Sequence, residues 1–396
     1  MKLFTVKNDI ASEKKIVLDD MILTKDMPTT AGSKMLDGYV SLFEATAIEK
    51  LTAAGYAVSG KANVGEMAID LLGETSYFGA CEADGVLSLP AAEIVNSGEA
   101  QAALTLDVNG SPRRGAALSG LVYVKPTYGV VSRFGTIPAA CSGETVGVMA
   151  KSAATCSEVL SAIAGHDAKD GTSHSDELCA KATSAHKSIK KVAVIKSLFD
   201  FADKSEIEKL DAFKAFLAKD GVEVCEIDGD ILKAARVAWN ILMCAELCNN
   251  VSRYDGIKYG YRSPNYTTIG ELYTNSRTEA FGELLKTAIL YGSETLSDDN
   301  YMKMYDKAMR VRRVLSEYFG ELFSEYDALI LPAVSGAYTT EDVKNDKYIS
   351  FKENLYTAPA SITGLPTVVV GGVQLMGEAF SDGSLLELAK SYERGE

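Results

Sequence analysis

Short apolar strands alternate with amphipathic helices along this chain, and one segment fixes how they pair. Val192–Ile195 is apolar and strand-like, Lys204–Lys219 carries its apolar residues on one helical face, and Val222–Ile227 is a second strand. A strand, a helix and a strand of these lengths predict a βαβ unit with parallel strands. Further apolar runs at Ala328–Pro332 and Thr367–Val370 predict buried strands. We therefore expect an α/β fold with a central mixed β-sheet flanked by helices.

Two further expectations concern the layout of the chain. The apolar spacing of Met35–Gly55 predicts one long helix that ends at the glycine. No linker rich in proline or serine divides the 396 residues. We therefore expect residues 1–396 to form a single domain.

Composition and charge limit the classes of function. The sequence is 47% hydrophobic and 24% charged, as in an ordinary globular protein, and its net charge is −14. An acidic surface argues against direct binding to nucleic acid or to an anionic membrane. The first residues lack the apolar core of a signal peptide, and no apolar run reaches membrane-spanning length. We therefore expect a cytoplasmic protein. The seven cysteines form no Cys-x-x-Cys pair, so we expect no metal site.

The middle of the chain carries two motifs that belong together. Residues 107–113 are Asp-Val-Asn-Gly-Ser-Pro-Arg, and residues 125–129 are Lys-Pro-Thr-Tyr-Gly. They resemble the amidase signature family, in which Asp-Thr-Gly-Gly-Ser-Ile-Arg precedes Gly-Leu-Lys-Pro-Thr-Tyr-Gly. Segments 27–34, 60–68, 252–262 and 277–282 are similar to the A subunits of tRNA-dependent amidotransferases within that family. The resemblance implies the amidase signature fold, here without the family's usual N-terminal helical region.

The family's chemistry assigns roles to residues of this chain. A serine attacks an amide carbonyl, a second serine relays its proton to a lysine, and backbone N–H groups before the nucleophile stabilise the oxyanion. The resemblance places Ser111 at the nucleophile, and Val108, Asn109 and Gly110 at the substrate-binding N–H row. Arg312 matches an arginine on the helix that lines the family's substrate cleft, where it could bind a carboxylate. No cofactor and no metal are implied.

The positions that should activate the nucleophile differ from the family pattern. A gapless count back from Pro28 puts Asp19 where the family has its lysine. A gapless count back from Ser111 puts Leu87 at the bridging serine, although the neighbouring Ser88 could replace it. We therefore predict a degenerate relative that is non-catalytic and acts as a binding or scaffold protein.

An active enzyme is the alternative prediction. Ser111 could still attack an amide if rearranged groups activated it, and Lys61 and Lys125 are candidates for that role. The protein would then be an amidase or a glutamine amidotransferase. We expect a homodimer, because closed two-fold pairing is the commonest assembly. Amidotransferase-like partner subunits, which the resemblance implies, are the alternative.

Overall fold

A mixed β-sheet of eleven strands runs through the protein. The computed structural model describes residues 2–395. In chain order the strands are β1 (Phe4–Lys7), β2 (Lys15–Asp19), β3 (Ala57–Ala62), β4 (Glu82–Ala83), β5 (Val86–Leu87), β6 (Ala102–Asp107), β7 (Val122–Lys125), β8 (Thr145–Ala150), β9 (Lys191–Ile195), β10 (Glu223–Ile227), β11 (Ala328–Pro332), β12 (Thr367–Val370) and β13 (Val373–Gly377). The order in the large sheet is β1-β3-β2-β6-β8-β7-β12-β13-β11-β9-β10, and β4 and β5 form a separate hairpin.

Helices flank this sheet. They are α1 (Thr46–Ala53), α2 (Pro90–Ser97), α3 (Ser111–Ser119), α4 (Ala153–Ile163), α5 (Asp176–Thr183), α6 (Lys196–Phe199), α7 (Lys204–Lys219), α8 (Leu232–Asn250), α9 (Ile269–Ala280), α10 (Glu283–Thr295), α11 (Tyr305–Glu325), α12 (Thr340–Asn345), α13 (Ile349–Glu353), α14 (Ala358–Thr363) and α15 (Asp382–Arg394). Within residues 2–395, no helix combines the length and apolar character needed to cross a lipid bilayer.

The sheet is mixed because it contains both parallel and antiparallel strand pairs. β2 is parallel to both β3 and β6, whereas β6 is antiparallel to β8. β9 and β10 are parallel, with Lys191 opposite Glu223 and Ile195 opposite Ile227, and α7 connects them. The predicted βαβ unit and the predicted mixed sheet with flanking helices are both confirmed.

Apolar side chains cover both faces of the sheet. Because successive side chains of a strand point to opposite faces, Ala103 of β6 joins the apolar cluster formed with α2 and α3. Leu104 and Leu106 join the larger cluster, which includes residues of α4 and α8. β6 is buried along its whole length, so the turn after it leads directly into the interior.

The predicted helix over Met35–Gly55 is wrong in extent. A 3-10 turn covers Lys34–Leu36, and the α-helix begins only at Thr46. Gly38 has a φ of 77°, in the left-handed region, which ends the first turn. The next residue but one, Val40, pairs with Pro28 in an isolated β-bridge. Tertiary contacts therefore override the helical spacing of the apolar residues in this segment.

Candidate functional site

The site is built on a strand, a tight turn and a helix. β6 ends at Asp107, and α3 begins at Ser111 after three residues. Gly110 has a φ of 105°, and a Cβ placed there would lie 2.3 Å from the Cβ of Thr357. The Thr357 hydroxyl donates a hydrogen bond of 2.6 Å to the backbone carbonyl of Asn109. The turn thus needs a glycine both for its backbone angles and for the close approach of Thr357.

Ser111 lies in a closed environment. Its side chain borders a cavity of about 10 Å³ together with Leu87, Ser88 and Arg114. This volume accommodates about one water molecule. Within residues 2–395 the Ser111 hydroxyl forms no hydrogen bond with another group. The serine therefore lies at the start of α3 without a hydrogen-bonded base among residues 2–395, beside a space for about one water molecule.

Asp19 lies at the end of β2, the strand beside β6. Its Oδ2 atom accepts a hydrogen bond of 3.1 Å from the Leu106 N–H, and its Oδ1 atom has no partner among the described residues. Burial raises the pKa of this carboxyl well above its ordinary value, and the nearby Asp20 and Asp107 carboxylates add to that rise. Burial thus favours the neutral acid at the position where the resemblance implies a lysine.

Leu87 and Ser88 lie beside Ser111 but serve other contacts. Leu87 ends strand β5, its N–H donates to the Tyr338 carbonyl at 2.7 Å, and its side chain is fully buried in an apolar cluster. The Ser88 hydroxyl donates a hydrogen bond to the Glu93 carboxylate. No hydrogen bond joins Ser88 to Ser111 within the described part of the chain. Neither residue relays a proton from the serine in this arrangement.

Asn109 is the centre of a buried polar network that we did not predict from the sequence. Its Nδ2 donates to the Ile69 carbonyl at 2.9 Å, and its Oδ1 accepts from Trp239 Nε1 at 3.2 Å and from Asn354 Nδ2 at 2.9 Å. Asn354 also donates to Asn240 Oδ1 at 2.6 Å. The side chain of Asn109 therefore occupies the space next to the turn. The only sequence signal was the asparagine in place of the family's glycine.

Val108 and Gly110 complete the turn. Val108 is fully buried in the apolar core. The backbone N–H groups of Val108, Asn109 and Gly110 donate no hydrogen bond within residues 2–395. The N–H row implied by the resemblance is therefore free of internal partners, although the adjacent space is closed.

A buried ion pair fixes the start of α3. Arg113 Nε and Nη2 donate to the two carboxylate oxygens of Asp107 at 2.8 and 2.9 Å, and both side chains are fully buried. The Arg113 guanidinium also donates to the Thr357 carbonyl, to Ser361 and to Gln374. A bidentate pair with further partners holds the strand and helix in one geometry.

Comparison with known proteins agrees with this architecture. A family model described as Amidase matches residues 15–386. The chain belongs to the amidase family. It is 34% identical over 400 aligned positions to the A subunit of glutamyl-tRNA(Gln) amidotransferase from Coxiella burnetii, an alignment that covers 96% of this chain and 83% of that one. It is 35% identical to the protein of the same name from Acinetobacter baumannii, covering 95% of this chain and 81% of the other. The predicted family is confirmed.

Solved structures of this family superpose on nearly the whole chain. The crystal structure of the A subunit of glutamyl-tRNA(Gln) amidotransferase from Thermotoga maritima matches with a TM-score of 0.80 and 27% identity, covering 99% of this chain and 87% of that one. K. lactis urea amidolyase matches with a TM-score of 0.83 and 23% identity, covering 96% of this chain and 23% of that one, which shows the shared fold. The predicted amidase fold is confirmed.

The two lysines that could replace the amidase lysine are bound elsewhere. Lys61 Nζ donates to the Ile22 carbonyl at 2.7 Å and to the Thr29 hydroxyl, and burial lowers its pKa to about 8. Lys125 Nζ donates to the Leu365 carbonyl at 3.0 Å, and burial, with the Arg113 charge, lowers its pKa to about 7. Across residues 2–395, neither amine is hydrogen-bonded to Ser111.

Arg312 lies on α11 and forms a hydrogen bond to the loop that contains Ser142. Its Nη2 donates to the Ser142 carbonyl at 2.9 Å, and the Ser142 N–H donates to Glu246 at 2.9 Å. The next residue, Gly143, packs so closely on Trp239 that a Cβ would lie 2.3 Å from the indole. Arg312 is therefore connected to Asn109 through this loop and the indole, and in the described chain it makes no hydrogen bond to the Ser111 turn.

The arrangement of the His, Cys, Asp and Glu side chains bears on metal binding. No group of three or more His, Cys, Asp or Glu side chains within residues 2–395 is arranged to hold a metal ion. The seven cysteines are all free thiols.

Proposed function

We propose that this member of the amidase family is non-catalytic and acts as a binding or scaffold protein. The observation that carries the proposal is the hydrogen bonding of Ser111. No lysine amine within residues 2–395 is bonded to its hydroxyl, either directly or through one other hydroxyl, because Ser88 donates to Glu93 instead. A serine hydroxyl is a weak nucleophile unless a base takes its proton.

The charge at the position of the family's lysine supports the same proposal. Asp19 stands where the amidase lysine is expected, and its burial favours a neutral carboxyl that holds no positive charge. The family reaction needs a group that accepts the serine proton and later returns it to the leaving amine. A neutral acid bonded to the Leu106 N–H supplies neither step.

The space at the site supports it independently. The cavity beside Ser111 is about 10 Å³, whereas sites for small molecules usually measure roughly 300–1,000 Å³. Leu87 borders that cavity, and Asn109 fills the adjoining space with hydrogen bonds to Trp239 and Asn354. An amide substrate would have to displace these contacts before its carbonyl could approach the serine.

Ammonia release from glutamine, asparagine and simple amides tests the proposal. We expect the protein and its Ser111→Ala variant to be equally inactive, because members of a nucleophile group act as a unit and losing one costs about 10³-fold or more. The Asp19→Lys variant should also stay inactive, because Leu87 and Asn109 still close the site. Turnover by the unaltered protein that disappears in Ser111→Ala would contradict the proposal and favour an amidase activated through Ser88 and Glu93.

We further propose that the protein works in an assembly. Relatives that align over most of the chain are named as A subunits of glutamyl-tRNA(Gln) amidotransferase. One segment that resembles such subunits has a structural role here, because Arg277 donates to the carbonyls of Val251 and Tyr254 at 3.0 Å. The proposal of partners is therefore supported by the similarity to proteins named as subunits. Either a homodimer or an assembly with amidotransferase-like partner subunits would agree with it.

A further inference from the structure

A second cavity lies away from Ser111, between α8, α10 and the start of α13. Its volume is about 490 Å³, within the range of small-molecule sites. Its apolar wall consists of Val237, Ala288, Tyr291 and Phe351. Asn240, which also lines it, is the outermost member of the Asn109 network. This open space near the old catalytic turn is therefore mainly apolar, and Ser111 does not line it.

Two cations line this cavity, and none of its described lining residues is an acid. The cations are Arg236 and Lys352, and both also line an adjoining cavity of about 310 Å³. The lining of this cavity is therefore positively charged, whereas the chain as a whole has a net charge of −14. The adjoining cavity contains one acid, Glu353, which accepts hydrogen bonds from the N–H and hydroxyl of Ser335 at 2.7 Å. The boundary between the two cavities therefore carries positive charge.

Arg236 differs from its neighbours in having no partner among the described residues. Lys352 forms an ion pair with Asp346, and Lys233, one turn away on α8, forms one with Asp230 at 2.6 Å. Within residues 2–395 the guanidinium of Arg236 forms neither a hydrogen bond nor an ion pair. A half-buried guanidinium beside an apolar wall has five N–H donors to offer a ligand.

We propose that this cavity binds a small organic carboxylate with an aromatic or branched apolar body. The apolar wall takes the body, and Arg236 forms a forked pair with the carboxylate, the geometry that a guanidinium favours. Lys352 adds attraction but remains held by Asp346. This site goes beyond the proposed loss of catalysis, since it uses none of the residues around Ser111.

Isothermal titration with two matched probes tests the site. The probes are 1-naphthaleneacetate and the neutral 2-(1-naphthyl)ethanol, which share an apolar body. We expect one carboxylate to bind per chain, about tenfold more tightly than the alcohol, because a hydrogen-bonded charge adds roughly that factor. In Arg236→Gln the carboxylate should bind no better than the alcohol. Lys233→Gln removes the same charge from the same helix and should change the affinity by less than about twofold.

A second variant separates the apolar wall from the charge. Val237 is 52% exposed, so Val237→Trp can fill the cavity without repacking the core. It should abolish binding of both probes while circular dichroism and the unfolding midpoint stay unchanged. The proposal is overturned if the unaltered protein binds no naphthaleneacetate at millimolar concentration. Equal affinities for the two probes, or equal losses in Arg236→Gln and Lys233→Gln, would also overturn it. Inorganic phosphate that displaces the probe as strongly as a carboxylate would overturn it too, because the charge alone would then select the ligand.

Discussion

At the scale of single residues, Asn109 distinguishes the turn before Ser111 from the family pattern. The family's glycine leaves space at this position, whereas the asparagine side chain joins Ile69, Trp239 and Asn354. A side chain that exposes no surface and satisfies three groups contributes to stability. The asparagine thus adds a structural contact at this position of the turn.

Replacing this asparagine should therefore destabilise the protein. We expect Asn109→Ala to lower the free energy of unfolding by about 2–4 kcal/mol, because the Trp239 N–H and the Ile69 carbonyl lose their partner in a buried site. Ser111→Ala, two residues away, is the matched control. Its hydroxyl has no partner among the described residues, so we expect a change below about 1 kcal/mol. Urea unfolding of both variants measures the difference, and equal effects would contradict the role given to Asn109.

Asp19 should make stability depend on pH. Burial raises its pKa in the folded protein well above the ordinary value of 3.8. The folded state therefore keeps a proton that the unfolded chain releases, and the free energy of unfolding falls as pH rises above about 4. Below that pH the Asp19 carboxyl is protonated in both the folded and the unfolded state, and it no longer lowers the free energy of unfolding. Asp19→Asn has no carboxyl that must stay protonated in the folded state, so its stability relative to the unaltered protein should increase as the pH rises above about 4.

Urea unfolding across that pH range checks this prediction. Asp20 is buried as well, and burial raises its pKa to about 6, although Lys61 and Thr30 oppose the rise. Asp20→Asn should therefore gain its relative stability mainly between about pH 4 and 6. A relative stability of Asp19→Asn that stays constant with pH would contradict the assignment of a neutral acid.

At the scale of elements, the turn between β6 and α3 depends on one glycine. Gly110→Ala forces a left-handed φ on alanine and places its Cβ against Thr357. Gly98, after α2, also has a left-handed φ of 80°, but a Cβ there meets nothing within 4 Å. We expect Gly98→Ala to cost about 1–2 kcal/mol from the backbone alone. Gly110→Ala should cost roughly 3 kcal/mol more, because overpacking is added.

Thermal or urea unfolding of the two variants separates strain from overpacking. The double variant Gly110→Ala with Thr357→Ser would remove the methyl group that the new Cβ meets, and should recover part of the loss. If Gly98→Ala and Gly110→Ala lowered the free energy of unfolding equally, the close approach of Thr357 would not affect stability.

The sequence predicted some elements better than others, for physical reasons. β9 and α7 were predictable because the apolar residues of each element are the ones it buries. β10 followed from the strand-helix-strand pattern, although as the edge strand it buries none of its residues fully. Met35–Gly55 was not, because the bridge between Pro28 and Val40 overrides the helical spacing. The site shows the same limit. Counting residues named Asp19 and Leu87 as site positions, which stays a prediction, and nothing local to Asn109 indicated that Trp239 and Asn354 would meet it.

At the scale of the whole molecule, exposed apolar side chains and kinship with proteins named as subunits both favour association. Leu42, Ile269 and Leu290 are 93%, 68% and 72% exposed. Closed two-fold pairing is the commonest assembly of identical chains. We expect light scattering at micromolar concentration to give a mass twice that of the chain. A mass of one chain, unchanged when amidotransferase-like partner subunits are added, would contradict the scaffold role.

The Asn109 network also has a consequence for how the chain folds. Its hydrogen bonds join residues 40, 130 and 245 positions apart, so the turn cannot be completed until four remote segments have met. Contacts between residues so far apart in the sequence form slowly, because the chain between them must close into a loop, at a cost in entropy, before the contacts can stabilise it. Trp239 is the only tryptophan of the chain and is fully buried at this meeting point. Its fluorescence therefore gives an intrinsic optical record of the step in which distant parts of the sequence come together around the turn that precedes Ser111.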